Sequence, residues 1–163
     1  KRKSALSSPK TRTKPVRYED LCEAHDRMTS RLSQGNDLQD LKKRLLPLNT
    51  YRASFVFLED LGFSVRYDMF NRLEAVDKTL EECDVSMSSE SLYNVMKNKW
   101  GFGTLMINGR FQANYGSFHH FVLQTRLYYM NNIGKKYPKH ISLEEISSSD
   151  SLVKKLVEGK CQL

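Results

Sequence analysis

Between Ser91 and Leu143 the chain runs for 53 residues without an aspartate or a glutamate, while holding seven lysines and arginines and ten aromatic residues. Such a segment cannot neutralise its own charge. Its cations find acids elsewhere in the chain, or they stay on the surface and face a partner. The other segments sharpen the point: residues 1–17 carry a formal charge of +7, residues 18–90 carry −6, and residues 144–163 carry −1. Charge sorted in this way points to a cationic face for a polyanion or an acidic protein.

Helical periodicity dominates the first reading. Leu21, His25, Met28 and Leu32 recur at three- and four-residue spacing from Tyr18, and Gly35 ends the run. Asn36 or Asp37 caps a shorter helix bearing Leu38, Leu41 and Leu45, stopped by Pro47. "YRASFVFLEDLGF" is apolar nearly all round, which predicts a buried helix over 51–62, with a strand as the alternative because of its Phe and Val. Met69, Leu73, Val76, Leu80 and Cys83 step by four, three, four and three, predicting an amphipathic helix over 68–83 with an acidic outer side. Ser88 is placed to cap a helix over 88–100, with Leu92, Met96 and Trp100 inward. Asn108-Gly109 is a strong type I′ turn signal and predicts a hairpin over 103–115. Ser117 opens a largely buried helix over 118–132, and "SSSDSLVKKLVEGK" suggests a short helix over 150–158.

The expected fold is therefore mainly α: a single helical domain over 16–163 with one β-hairpin, preceded by a disordered basic tail over 1–15. Helix, helix, helix, ribbon is also the order of elements in a winged helix-turn-helix. There the last helix enters the major groove and the ribbon follows phosphates. On that order Lys97, Asn98 and Lys99 become the reading face and Arg110 the tip of the wing. Lys135, Lys136 and Lys139 extend the cationic surface, and Lys1, Arg2 and Lys3 begin a basic arm. The expected function is that of a non-catalytic nuclear DNA- or chromatin-binding domain, with duplex DNA as its nucleic acid. The alternative is a protein-interaction module of a nuclear replication, repair or segregation complex, docking an acidic partner segment. "KRK" suits nuclear import, and Ser8-Pro9 makes Ser8 a candidate phosphorylation site.

Other chemistry finds little support in the residues. Nucleotide-loop, dinucleotide, zinc-protease and serine-hydrolase signatures are missing, so no catalytic residue is expected. Cys22, Cys83 and Cys161 are too far apart for a metal pair and suit idle thiols in a reducing compartment; no metal and no cofactor are expected. His119 and His120, adjacent on a helix, point about 100° apart and favour structural roles. Tyr137, set between cations in "KKYPKH", is a candidate for stacking on a base. No apolar run is long enough to span a bilayer, so no membrane partner is expected.

Overall fold

The structure, a computed structural model, describes residues 14–48 and 51–147. Two helices come first. Helix α1 (Tyr18–Ser33) buries Leu21, Ala24, His25, Met28 and Leu32, the apolar stripe visible in the sequence. Helix α2 (Leu38–Leu45) starts where the Asp37 carboxylate accepts a hydrogen bond from Asp40 N–H, satisfying one of the donors a helix start leaves free.

The chain then turns to strands. β1 (Ser54–Leu58) and β2 (Phe63–Tyr67) form an antiparallel pair, and β3 (Glu74–Val76) adds to β2. After a 3₁₀ turn over Leu80–Glu82, β4 (Val85–Met87) returns beside β1 in parallel, and β5 (Phe111–Ala113) pairs antiparallel with β4. The five strands lie in the order β3-β2-β1-β4-β5. Between β4 and β5 run α3 (Ser89–Lys97) and α4 (Gly101–Asn108); after β5 come α5 (Phe118–Asn132) and α6 (Leu143–Ser147).

One face of the sheet carries the core. Val56, Leu58, Val65, Tyr67, Val85 and Met87 are all buried there, and α1 and α5 cover them. Tyr67 packs against Phe121 of α5 at 5.6 Å and against His25 of α1 at 5.6 Å. Phe111 of β5 stacks on Phe118 of α5 at 5.2 Å, which closes the sheet's far edge. Each such side chain contributes about 1.5–3 kcal/mol when taken out of water.

This architecture is a helix-covered mixed sheet, and it overturns the mainly α expectation with one hairpin and a winged helix-turn-helix order. Residues 51–62 hold β1 and its turn instead of a helix. Ser54, Val56 and Leu58 point inward, while Phe55 and Phe57 are half-buried on the opposite face. A strand with apolar side chains on both faces reads like a buried helix. Residues 68–83 are not a helix either. Met69, Leu73 and Cys83 are buried, but Leu80 is exposed, and the segment comprises a loop, β3 and the 3₁₀ turn. Asp68 breaks any helix at its start: its carboxylate accepts from Phe70 N–H and from the Asn71 carboxamide.

The hairpin over 103–115 is absent as well. Gly109 adopts φ +59° and ends α4 as its left-handed cap, so Asn108-Gly109 closes a helix instead of a ribbon. Only 111–113 are extended, and their partner is β4. The helix expected over 88–100 ends at Lys97, with Ser88 capping it through Ser91 N–H as its hydroxyl chemistry suggested. Trp100 begins a second helix. Gly101 makes the corner between the two possible, because a Cβ there would lie 1.9 Å from the Asn94 carbonyl oxygen. The stretch 118–132 is helical, as α5. The segment 150–158 and residues 1–13 of the basic tail lie outside the described residues; Lys14–Arg17 form a non-helical lead into α1.

Candidate docking surface

α1 and α3 lie side by side with their N-termini at the same end. Val16 N–H, just before α1, donates to Ser89 Oγ at the start of α3 (2.8 Å), and Arg31 Nη2, near the end of α1, donates to Met96 O near the end of α3 (3.0 Å). Between them runs a shallow groove of about 580 Å³, lined by Ala24, Asp26, Arg27, Ser30, Arg31, Tyr93 and Lys97. Tyr93 forms an apolar wall and Lys97 Nζ sits 5.0 Å from its ring centroid.

The cationic surface continues past the ends of these helices. Lys99 Nζ lies 5.7 Å from the ring of Trp100. Asn132, the last residue of α5, donates through its carboxamide to Lys99 O, which brings the end of α5 to the same pole. The Lys136 side chain passes close to Gly35, beyond the end of α1. Three helix C-termini thus converge, and their partial negative charge favours the cations gathered around them. Among the described residues Arg31, Lys97, Lys99, Lys136 and Lys139 meet no carboxylate within ion-pair distance, whereas Lys135 approaches Glu145 at 4.0 Å.

The seven described residues of the expected interface therefore do not form one patch. Lys97, Lys99, Lys135 and Lys136 lie toward the pole where α1, α3 and α5 end, and Lys139 follows in the adjoining exposed loop. Asn98 uses its carboxamide on Asn94. Arg110 is elsewhere. It precedes Phe111, whose strand partner Met87 leads into the start of α3, so Arg110 lies at the other end of that helix from Lys97. Lys1, Arg2, Lys3 and Ser8 fall outside the described residues. Tyr137 is not available for stacking: it is buried, its N–H donates to Asn36 Oδ1 and its hydroxyl to Asp40 Oδ2. Burial first, then the neighbouring Asp40, pushes its phenol pKa up.

Arg27 and Arg31 were invisible as interface residues because they belong to the net-acidic part of the sequence. Their only signal was position: one helical turn apart on α1, on the side away from Leu21, Met28 and Leu32. A second open cavity of about 660 Å³, between α1, α2 and residues 69–72, is lined by both signs of charge, Asp26, Lys42 and Arg72 among them.

The molecule's most concentrated polar cluster is structural. Asp84, only 1% exposed, accepts from Arg52 Nη2 at 2.6 Å, from Arg52 Nη1 at 2.9 Å and from Phe55 N–H at 2.8 Å, and the Ser54 hydroxyl donates to it as well. Burial alone would raise this carboxyl's pKa; the Arg52, Phe55 and Ser117 hydrogen bonds outweigh that and hold it below the usual carboxylate range. Gln124, fully buried in α5, accepts from Met69 N–H and donates to Arg52 O, tying the helix to the strand entry. His119 stands near this cluster, its pKa lowered by burial and by Arg52, with its ring 3.9 Å from that of His120. The Asp84 oxygens are already engaged by groups that fix β1, which makes the cluster a clip between strand and helix. Among the described residues no three His, Cys, Asp or Glu side chains are grouped to hold a metal ion, and no helix is long and apolar enough to cross a membrane.

Compared with known proteins, the chain matches no family model, no curated protein and no solved structure.

Proposed function

We propose that this protein is a non-catalytic docking module that holds an acidic segment of a partner protein at the pole where α1, α3 and α5 end. The observation that carries this reading is the set of cations there without acids: Arg31, Lys97, Lys99 and Lys136, beside a groove with an aromatic wall. A nuclear setting is part of the proposal and rests on the basic opening of the chain.

Nucleic acid is the second reading, favoured by the charge of +7 in residues 1–17, which lead directly into α1. On this fold its contacts would be with phosphates. α3 lies along α1 and has no ribbon beside it, so base reading by a helix and wing has no support.

The two readings separate in one titration. Fluorescence anisotropy of the full chain is followed with a labelled glutamate-rich peptide and, separately, a labelled 20-base-pair duplex, each at two salt concentrations. The docking reading expects saturable peptide binding, weakened about tenfold by the triple change Lys97→Ala, Lys99→Ala and Lys136→Ala. Binding of duplex alone, falling steeply with salt as counterions are released, would move the assignment to nucleic acid. Binding of neither would remove both.

A further inference from the structure

α4 is an exposed helix with no charged residue from Gly101 to Asn108. Successive positions rotate about 100°, which puts Leu105 and Phe102 toward the protein and sets Trp100, Gly103, Thr104 and Ile107 in one outward stripe. Ile107 is 83% exposed and Trp100 49% exposed. The stripe is about 10 Å long at 1.5 Å per residue. At its Trp100 end it joins α5: the Trp100 and Tyr129 rings meet at 6.0 Å, and Ile133, 47% exposed, follows Tyr129 by one turn. Exposed apolar side chains grouped in this way and bordered by polar groups mark interaction sites on folded proteins.

Along the chain, the charged residues that flank α4 have one sign. Lys97 and Lys99 precede the stripe, Arg110 follows it, and none of the three has an ion-pair partner among the described residues. An apolar helix bracketed by unpaired cations complements a segment with apolar side chains at its centre and acids on either side. We propose that the partner segment is amphipathic and acidic, and that it seats its apolar side chains on the Trp100–Ile107 stripe and on Ile133, with its carboxylates on Lys97, Lys99 and Arg110. This inference rests on the docking reading above and adds to it the apolar half of the recognition. It also gives Arg110, remote from the helix-terminal pole, a use at the far end of the stripe.

Trp100 is the chain's only tryptophan, so its emission reports directly on the stripe. The full chain is titrated with three synthetic peptides of equal length and charge: an acidic helix former with Leu and Phe at three- and four-residue spacing, its scrambled sequence, and a Glu-Ser peptide without apolar residues. The expected result is a blue shift of Trp100 emission with the amphipathic peptide alone, and about tenfold tighter binding than the Glu-Ser peptide. Ile107→Asn and Ile133→Asn should each abolish most of that difference while the circular dichroism spectrum is retained. Equal binding of all three peptides without an emission change overturns the inference and leaves the docking reading standing; no binding of any peptide ends both. A blue shift produced by anionic phospholipid vesicles but by no peptide, or by raising protein concentration alone, also overturns it, in favour of a lipid surface or a second copy of the chain.

Discussion

Residues 14–90 and residues 91–143 both carry many cations, and the fold treats them in opposite ways. In the first region seven cations meet carboxylates, four of them on the same turn of chain: Arg17 with Asp20, Arg27 with Glu23, Arg44 with Asp40 and Lys78 with Glu82. In the second, Lys135 reaches Glu145 of α6, while Lys97, Lys99, Arg110, Lys136 and Lys139 meet no carboxylate within ion-pair distance among the described residues. Pairing three or four residues away is the cheapest kind, because the local turn of chain already brings both partners close. An acid-free segment has no such partner. Its cations could be neutralised only by tertiary approach, and tertiary structure instead places α3 beside α1, where Arg31 joins Lys97 on a groove whose other charges, Arg27 and Asp26, are of opposite sign.

The comparison can be broken at its strongest point first. Asp84→Ala, on the paired side, should cost about 2–3 kcal/mol in urea unfolding, since Phe55 N–H and the Ser54 hydroxyl lose their acceptor while the half-exposed Arg52 can turn to water. A loss below about 1 kcal/mol would mean the clip does not hold β1. Next, Gly101→Ala forces a methyl group into the Asn94 carbonyl. It should cost about 1–3 kcal/mol, measured by thermal or urea unfolding, and should shift Trp100 emission because the corner carries that ring. An unperturbed variant would show that α4 is free to move off α3.

A smaller effect concerns pH. His25 is fully buried on α1, its Nε2–H donating to Asp68 O, and burial lowers its pKa. A depressed pKa means stability is complete above the ordinary histidine value of about 6.5 and falls as pH drops through the folded value, because the unfolded chain takes up the proton more readily. His119 acts in the same direction. Urea midpoints should therefore decline from pH 7.5 to pH 5.5, and His25→Gln should flatten most of that slope. The Asp84 contribution is lost separately and only below about pH 4, again as pH falls. A slope unchanged by His25→Gln would assign it elsewhere. The least effect on stability belongs to the unpaired side: Lys97→Ala, Lys99→Ala and Lys136→Ala together should shift the urea midpoint by under about 0.5 kcal/mol while weakening acidic peptide binding. A large loss of stability would mean these cations serve the helix ends and not a partner.

Local chemistry read well wherever one element decided the outcome. The α1 stripe, the Asp37 and Ser88 caps and α5 follow from residue spacing and hydroxyl or carboxylate acceptors within a few positions. The misreadings share a cause. Phe55 and Phe57 make β1 apolar on both faces, Met69, Leu73 and Cys83 are buried from a loop and a turn, and Gly109 supplies positive φ to a helix cap as readily as to a hairpin. In each case the residues describe burial or backbone freedom without saying which neighbour uses it. The docking surface was half legible: Lys97, Lys99 and Lys136 stood out by the absence of acids nearby, while Arg27, Arg31 and the exposure of Trp100 and Ile107 did not.

Composition and order alone settled that the cations of 91–143 would lack neighbours of opposite sign, because helical pairing reaches only one turn. Tertiary structure decided everything that depends on distant approach: that β4 returns beside β1 to complete a sheet, that α1 brings Arg31 to the end of α3, and that Arg110 lies at the other end of α3 from Lys97. Contacts between residues 73 apart, such as Val16 with Ser89, leave no periodic trace in a chain, and it is those contacts that turn sorted charge into a surface.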